Sequence, residues 1–314
     1  AETGFLTYVE SERVSFPWTM IDKITPRPDQ KVEEELCRDG VEELSPVVTS
    51  KQTYVAPFVN AEETEYLVVE DDFPNGRPAL EKGGVLFAGR ETVEQAERMK
   101  VGTCLNPLHT ALAVFGCLLG YEKISDEMQD EELKKLAERI GRDEGLPVVT
   151  DPGILNPEEF LETVLKVRLP NPFLPDTPQR IATDTSQKLA IRFGETIKAY
   201  IASQRLQVKD LRMIPLVFAG WLRYLMAVDD RGEPFALSPD PRKEELCPYV
   251  AGFDLKTGVD AAAAKEALLP VLRDETIFGV DLCDAGLAET VVAYFSELAA
   301  EPGAVRATLR KYIH

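Results

Sequence analysis

Histidine and positive charge are both scarce in this sequence, and the short signatures of the commonest cofactor sites are missing. Only two of its 314 residues are histidine, His109 and the terminal His314. A His-rich metal site is thereby excluded, and any imidazole chemistry falls to His109. Acidic residues number 54 against 35 basic ones, a net charge of −19. That sign opposes binding to a nucleic-acid backbone or to an anionic membrane surface, though it leaves room for a local basic pocket. The five cysteines, at positions 37, 104, 117, 247 and 283, are scattered and form no CxxC pair. Neither a disulfide framework nor a zinc site is expected, and reduced thiols in the cytoplasm are the simplest reading. The longest apolar run, Thr110 to Gly120, falls short of the ~20 residues a membrane span needs. No basic leader opens the chain, and its first residues, Ala1-Glu2-Thr3-Gly4, read as an interior point of a longer sequence. The twenty glycines are dispersed. They form neither a GxGxxG strand-to-helix turn nor a P-loop, so no dinucleotide fold is expected here.

What is present is a hydrophobic content of 44 %, sufficient for a sizeable core in one large domain or two ordinary ones. Residues 1–30 read as a short helix-like piece, an extended stretch from Val14 to Trp18, and an exit through Pro26 and Pro28. Period-2 runs follow at Val47-Val48-Thr49, Thr53-Tyr54-Val55 and Tyr66-Leu67-Val68-Val69, punctuated by Pro74-Asn75-Gly76 and Gly83-Gly84. From residue 91 the period changes to 3.6. Helices are expected over Glu91–Met99, Leu108–Leu119, Glu131–Ile140, Glu158–Lys166, Ser186–Gln204, Lys209–Val228, Ala261–Leu272, Gly286–Ala300 and Ala304–Tyr312. The fold is therefore expected to be mainly α, with a small β-rich portion within residues 14–90.

Two clusters carry chemistry. In the first, Asn106-Pro107 reads as a helix start, with Asn as the cap and Pro in the first turn. His109 lies three residues on, on the same face, where helix amides and the positive end of the dipole converge. A neutral imidazole there and the Asn106 amide form a candidate pair of donors to an oxygen gaining negative charge. Lys100, just upstream of an apolar segment, is a candidate acid–base group, and Glu97 one turn earlier a proton relay. The second cluster is Arg180, Asp184, Ser186, Lys188 and Arg192. Asp184 or Ser186 reads as a helix start, and Lys188 and Arg192 share a face. Taken singly, each pattern is commoner as a helix cap, a core histidine or a solvated charged face.

Together these stretches resemble the polyol-specific long-chain dehydrogenases, which include mannitol 2-dehydrogenase and fructuronate reductase (mannonate oxidoreductase). The matching segments are FPWTMIDKITPRP (16–28), VVEDDFPNGRPALEKGG (68–84), ERMKVGTCLNPLHTALAVFGCLLGY (97–121) and RIATDTSQKLAIRF (180–193), with a weaker echo in FGVDLCDAGLAETV (278–291). The resemblance implies a Rossmann-type NAD domain followed by a mostly helical substrate domain. On this reading residues 1–28 are the exit of the cofactor domain, the rest of which is absent, and residues 29–314 are the substrate-binding and catalytic domain. It implies that Lys100 is the general base with Glu97 beside it, that Asn106 and His109 polarise the substrate oxygen, and that Asp22, Arg180 and Lys188 bind substrate. NAD would be held mainly outside this chain, by residues the sequence does not identify. Two departures stand out. The family pattern has four residues between Lys and Asn, and this chain has five, Val101 to Leu105. On a continuous α-helix one insertion turns Lys100 by ~100° relative to His109. Trp18 stands where mannitol dehydrogenases tend to carry Asn.

The expected function is thus NAD(H)-dependent interconversion of a keto-sugar acid and its polyol acid, of fructuronate/mannonate type, without a metal. Two cations in one pocket favour an anionic substrate over the mannitol/fructose alternative. The 314-residue chain alone is expected to be inactive. The competing reading from another class is a stand-alone helical binding or assembly domain.

Overall fold

The computed structural model describes residues 2–25, 28–51, 53–174 and 176–314. Pro26, in the expected proline-rich exit, lies outside the described residues. The chain divides into two compact units. The first comprises Ala1–Met99, Thr150–Asn156 and Phe173–Pro175; the second comprises Lys100–Val149, Pro157–Pro172 and Asp176–His314.

The first unit holds every strand among the described residues. Thr19–Asp22 pairs antiparallel with Tyr66–Glu70, with Met20 opposite Val68. Tyr66–Glu70 in turn pairs parallel with Leu86–Ala88. A separate two-stranded ribbon joins Val47–Val48 to Tyr54–Val55. Parallel neighbours need a crossover, here supplied by residues 71–85 with one short 3-10 turn, Leu80–Gly83. The helix Arg90–Met99 follows the last strand after a single glycine. It buries Val93, Ala96 and Met99, three residues apart each time, as an amphipathic helix on a sheet should. Val93 and Ala96 pack on Met20 and Val68 to form this unit's core. The expected extended stretch Val14–Trp18 leads into the strand that begins at Thr19. Within it burial alternates, Met20 and Asp22 buried and Thr19 and Ile21 exposed; Phe16 and Trp18, ahead of the strand, are exposed. The Arg90 guanidinium lies 4.2 Å over the Trp18 ring.

The second unit is helical. Its centre is Met213–Tyr224, all twelve residues of which are buried. Against it stands Asn106–Leu119, buried from Pro107 to Leu118 with His109 the exception. The contact between the two is close, since a β-carbon added to Gly220 would lie 2.6 Å from Cζ of Phe115. The buried Glu144 carboxylate holds the start of the central helix. It accepts backbone N–H groups from Arg212 at 2.5 Å, Met213 at 2.7 Å and Ile214 at 2.9 Å. These are amides a helix start leaves without partners.

The expected helices are present, with boundaries shifted by a few residues. The expected Ser186–Gln204 helix is broken in character: Thr185–Leu189, a π-helical turn Ala190–Gly194, then Glu195–Ala202. Similar π turns occupy Lys100–Cys104, Ile140–Gly145 and Val164–Arg168. A helix at Gln30–Arg38, capped by Asp29, was not expected from the periodicity. The helical run Arg90–Leu119 is long and apolar enough, by length and composition, to cross a bilayer, and 78 % of its apolar 18-residue window is buried inside the protein. Expectation had rested on the shorter uninterrupted apolar run, which does not join these turns. Such burial is that of a core helix.

Candidate active site

The segment from Lys100 to His109 opens with the π turn Lys100–Cys104. The Leu105 amide donates to the Lys100 carbonyl, 3.1 Å away and five residues back. A π turn takes up one residue more than an α turn, so helix on either side can keep its phase. The five residues between Lys100 and Asn106 are accommodated in this turn. Leu105, with φ −127° and ψ −62°, is the single irregular residue before the next helix.

One expectation is corrected at this point. Asn106 is the first helical residue and not the cap; Leu105 occupies the cap position and makes no side-chain capping bond. The reason is that the chain enters from a preceding helical turn, so little open helix end is left for a side chain to close. His109 does lie in the first turn, its amide bonded to the Leu105 carbonyl at 3.1 Å. The Thr110 hydroxyl donates to the Asn106 carbonyl at 2.9 Å. Thr110 in turn accepts from the guanidinium of Arg192, and burial pulls that guanidinium below its usual range. A residue from the second sequence cluster thus holds the turn that carries the first.

His109 meets a partner that the sequence did not single out. Its Nε2 lies 3.3 Å from Oδ2 of Asp176, whose side chain is only 9 % exposed. The other carboxylate oxygen of Asp176 accepts from Arg180, through Nε at 2.8 Å and a terminal nitrogen. Burial alone would push the Asp176 carboxyl up. The hydrogen bond and charge of His109, then those of Arg180, outweigh it and hold the group below the usual carboxylate range. Only one signal for Asp176 exists in the sequence, its place four residues before Arg180. Nothing local ties it to a histidine 67 positions earlier.

Lys188 donates to the backbone carbonyls of Ile181, at 3.3 Å, and Thr183. Its ammonium is held below the usual lysine range, first by burial and next by the charge of Arg192, with Arg180 adding to the effect. The three cations therefore share one neighbourhood. Asp184 caps this helix from the left-handed region, φ 54° and ψ 33°, a conformation Asp tolerates better than most residues. Ser186 is tied to Asp240 by amide and hydroxyl, at 2.8 Å and 2.5 Å. The Lys100–Cys104 turn packs on the Ala190–Gly194 turn. A β-carbon on Gly102 would lie 3.8 Å from the Ile191 carbonyl, and Thr196 donates to the Gly102 carbonyl at 3.3 Å.

Of the residues expected to act together, the second unit thus brings Asn106, His109, Arg180 and Lys188 into one connected web, with Thr110, Asp176 and Arg192 as links. Lys100 opens the π turn beside the Arg192 turn and is half-buried. Asp22 and Glu97 belong to the first unit: Asp22 is buried on the Thr19–Asp22 strand and Glu97 exposed near the end of Arg90–Met99.

Residues 92–299 match the mannitol dehydrogenase C-terminal domain family. Among curated proteins, a D-mannonate oxidoreductase of Thermotoga maritima is 55 % identical over 314 residues, which is 99 % of this chain and 57 % of that protein. A mannitol 2-dehydrogenase of Phaeosphaeria nodorum is 32 % identical over 87 % of this chain and 43 % of its own length. Among solved structures, mannitol 2-dehydrogenase of Pseudomonas fluorescens, in a ternary complex with NAD and D-mannitol, superposes with a TM-score of 0.72 at 27 % identity. That match covers 98 % of this chain and 56 % of the other. The chain spans about half the length of the curated relatives it matches. It belongs to the mannitol dehydrogenase C-terminal domain family.

Proposed function

We propose that this member of the family supplies the substrate side of an NAD(H)-dependent secondary-alcohol dehydrogenase that interconverts a keto-sugar acid and its polyol acid, of the fructuronate/mannonate kind. One observation carries the choice of substrate class. The relative named D-mannonate oxidoreductase is 55 % identical, whereas the mannitol 2-dehydrogenase of Phaeosphaeria nodorum stands at 32 %. The gathering of Arg180, Lys188 and Arg192 supports it, because clustered cations favour an anionic ligand.

A pyrophosphate cradle needs several backbone amides opened by glycine at a helix start. The strand-to-helix turn Ala88-Gly89-Arg90 carries one glycine. What fits in the second unit is the substrate end: donors, an acid–base group and cations. Bound nicotinamide supplies the hydride or takes it up; the chain's own residues do the rest. In reduction the ketone oxygen gains negative charge, and the Asn106 amide and His109 ring donate hydrogen bonds to it. Lys100, as the ammonium, gives the proton that completes the alcohol; in oxidation the neutral amine takes it back. Arg180 and Lys188 bind hydroxyls or the carboxylate. The proposal extends to residues 1–28 as the exit of a cofactor domain and to a cytoplasmic location.

The test is a substrate panel. Purified enzyme that includes the cofactor domain is assayed with NADH and NADPH against fructuronate, tagaturonate, fructose and sorbose, and in reverse against mannonate and mannitol. Turnover of a keto acid at least tenfold above fructose in kcat/KM supports the reading. A preference for fructose would favour the mannitol type. A separate titration of NAD with the 314-residue chain alone is expected to show no binding.

A further inference from the structure

We infer that Asp176 is a positioning residue for His109, fixing which ring nitrogen carries the proton and which is left for a ligand. The inference rests on the proposed function for its catalytic meaning, but the arrangement itself does not.

The geometry is that of a relay of fixed partners. A carboxylate oxygen only accepts. With Oδ2 of Asp176 3.3 Å from Nε2, the proton of a neutral His109 sits on Nε2, and Nδ1 is left with its lone pair. The carboxylate is not free to turn away, because Arg180 holds Oδ1 with two donors. It is anchored from the main chain as well: the Asp176 carbonyl accepts from the Ile124 amide at 3.0 Å. At 7 % residue exposure it is shielded from competing water. An imidazole held from one side by a buried carboxylate has a defined tautomer and ring angle.

The consequence differs from the expectation that neutral imidazole donates to the substrate oxygen. With Nε2–H committed to Asp176, a neutral His109 offers Nδ1 as an acceptor for a substrate hydroxyl. Only the imidazolium donates from Nδ1, and the Asp176 carboxylate stands ready to balance its charge. Asp176 therefore makes the two roles of His109, hydroxyl acceptor and oxyanion donor, states that differ by one proton.

Asp176→Asn tests this with almost no change of shape. Arg180 keeps an oxygen at the Oδ1 position, so the amide NH₂ must face His109. Nε2 then becomes the acceptor and the proton moves to Nδ1. The measurement is ¹⁵N NMR of selectively histidine-labelled protein, at a pH where the ring is neutral. A His314→Asn background removes the other imidazole, which is exposed at the chain end. Wild type is expected to show the Nε2–H tautomer, and Asp176→Asn the Nδ1–H tautomer. A wild-type ring protonated on Nδ1, or the same tautomer in both proteins, overturns the inference whatever the activity. In the active enzyme the variant is expected to lose ~10²–10⁴-fold in kcat, as a mispositioned histidine does elsewhere, with a smaller change in KM. If the tautomer inverts and turnover is unchanged, the positioning stands and it is the proposed role of His109 in catalysis that fails.

Discussion

Arg192 and Thr110 are joined by a hydrogen bond that runs from the guanidinium to the hydroxyl, and the same hydroxyl donates onward to the Asn106 carbonyl at 2.9 Å. The bond ties a π turn to the first turn of the Asn106–Leu119 helix. Thr110→Val keeps the shape, removes both bonds and leaves a largely buried guanidinium short of one partner. It is expected to cost roughly 1–3 kcal/mol by chemical denaturation. If this link also sets the angle of the His109 turn, kcat/KM falls along with stability. A variant as stable and active as wild type would show that the bond matters little.

Glu127 gives a pH-dependent prediction. It is fully buried beneath Asn106–Leu119, where a β-carbon on Gly116 would lie 2.0 Å from its carboxylate. Neither oxygen has a hydrogen-bond partner among the described residues. Burial first, then the charges of Asp130, Asp126 and Asp176, push its carboxyl well above the ordinary 4.5. A group raised in the folded state stabilises fully below its unfolded value, and that contribution is lost as pH climbs towards the folded one. Glu127→Gln has no such loss. Its melting temperature is expected to rise relative to wild type from pH 4.5 upward, with the gap closing at lower pH. A gap that is constant with pH would show that Glu127 does not titrate in this way.

Two glycines in facing π turns are expected to respond oppositely. At Gly194 a β-carbon would meet the Phe278 carbonyl oxygen at 2.5 Å and the Gly279 α-carbon at 3.0 Å, both backbone atoms that cannot yield alone. Gly194→Ala should destabilise by roughly 1–3 kcal/mol. At Gly102 the nearest atom is 3.8 Å away, an ordinary contact. Gly102→Ala should be neutral or stabilising by up to ~1 kcal/mol, because alanine loses less backbone freedom on folding. Urea unfolding of the two variants decides it; equal losses would refute the packing argument.

Lys100→Ala, in the active enzyme, is expected to lower kcat by ~10²–10⁴-fold with little effect on the fold, as loss of a positioned acid–base group does. Partial rescue by added small primary amines would identify the missing proton carrier. Near-normal turnover would place the proton donor elsewhere.

Periodicity in the sequence was sufficient to mark most elements. Apolar residues spaced by 3.6 located Ala261–Leu272 to the residue and placed His109 in the first turn of a buried helix, since both depend on neighbours a few positions apart. The apolar, β-branched run that forms Tyr66–Glu70 was legible for the same reason. Phe16, Trp18 and Met20 are alike in the sequence, and only pairing separates them: the strand begins at Thr19, and Met20 is buried opposite Val68. The role of Asn106 as a cap was overturned because a cap serves an open helix end, and whether an end is open depends on how the preceding residues turn. Five residues between Lys100 and Asn106 could be counted in the sequence. That they form a π turn, packed against the Ala190–Gly194 turn far along the chain, is seen only in the folded structure. The pairing of His109 with Asp176 is of the same kind. Local residue patterns fix what each segment can form and which residue types it offers, because those interactions reach only a turn or two. Which carboxylate meets the one interior imidazole is set when distant helices pack, and burial then makes that contact, absent in the open chain, strong enough to hold a ring in place.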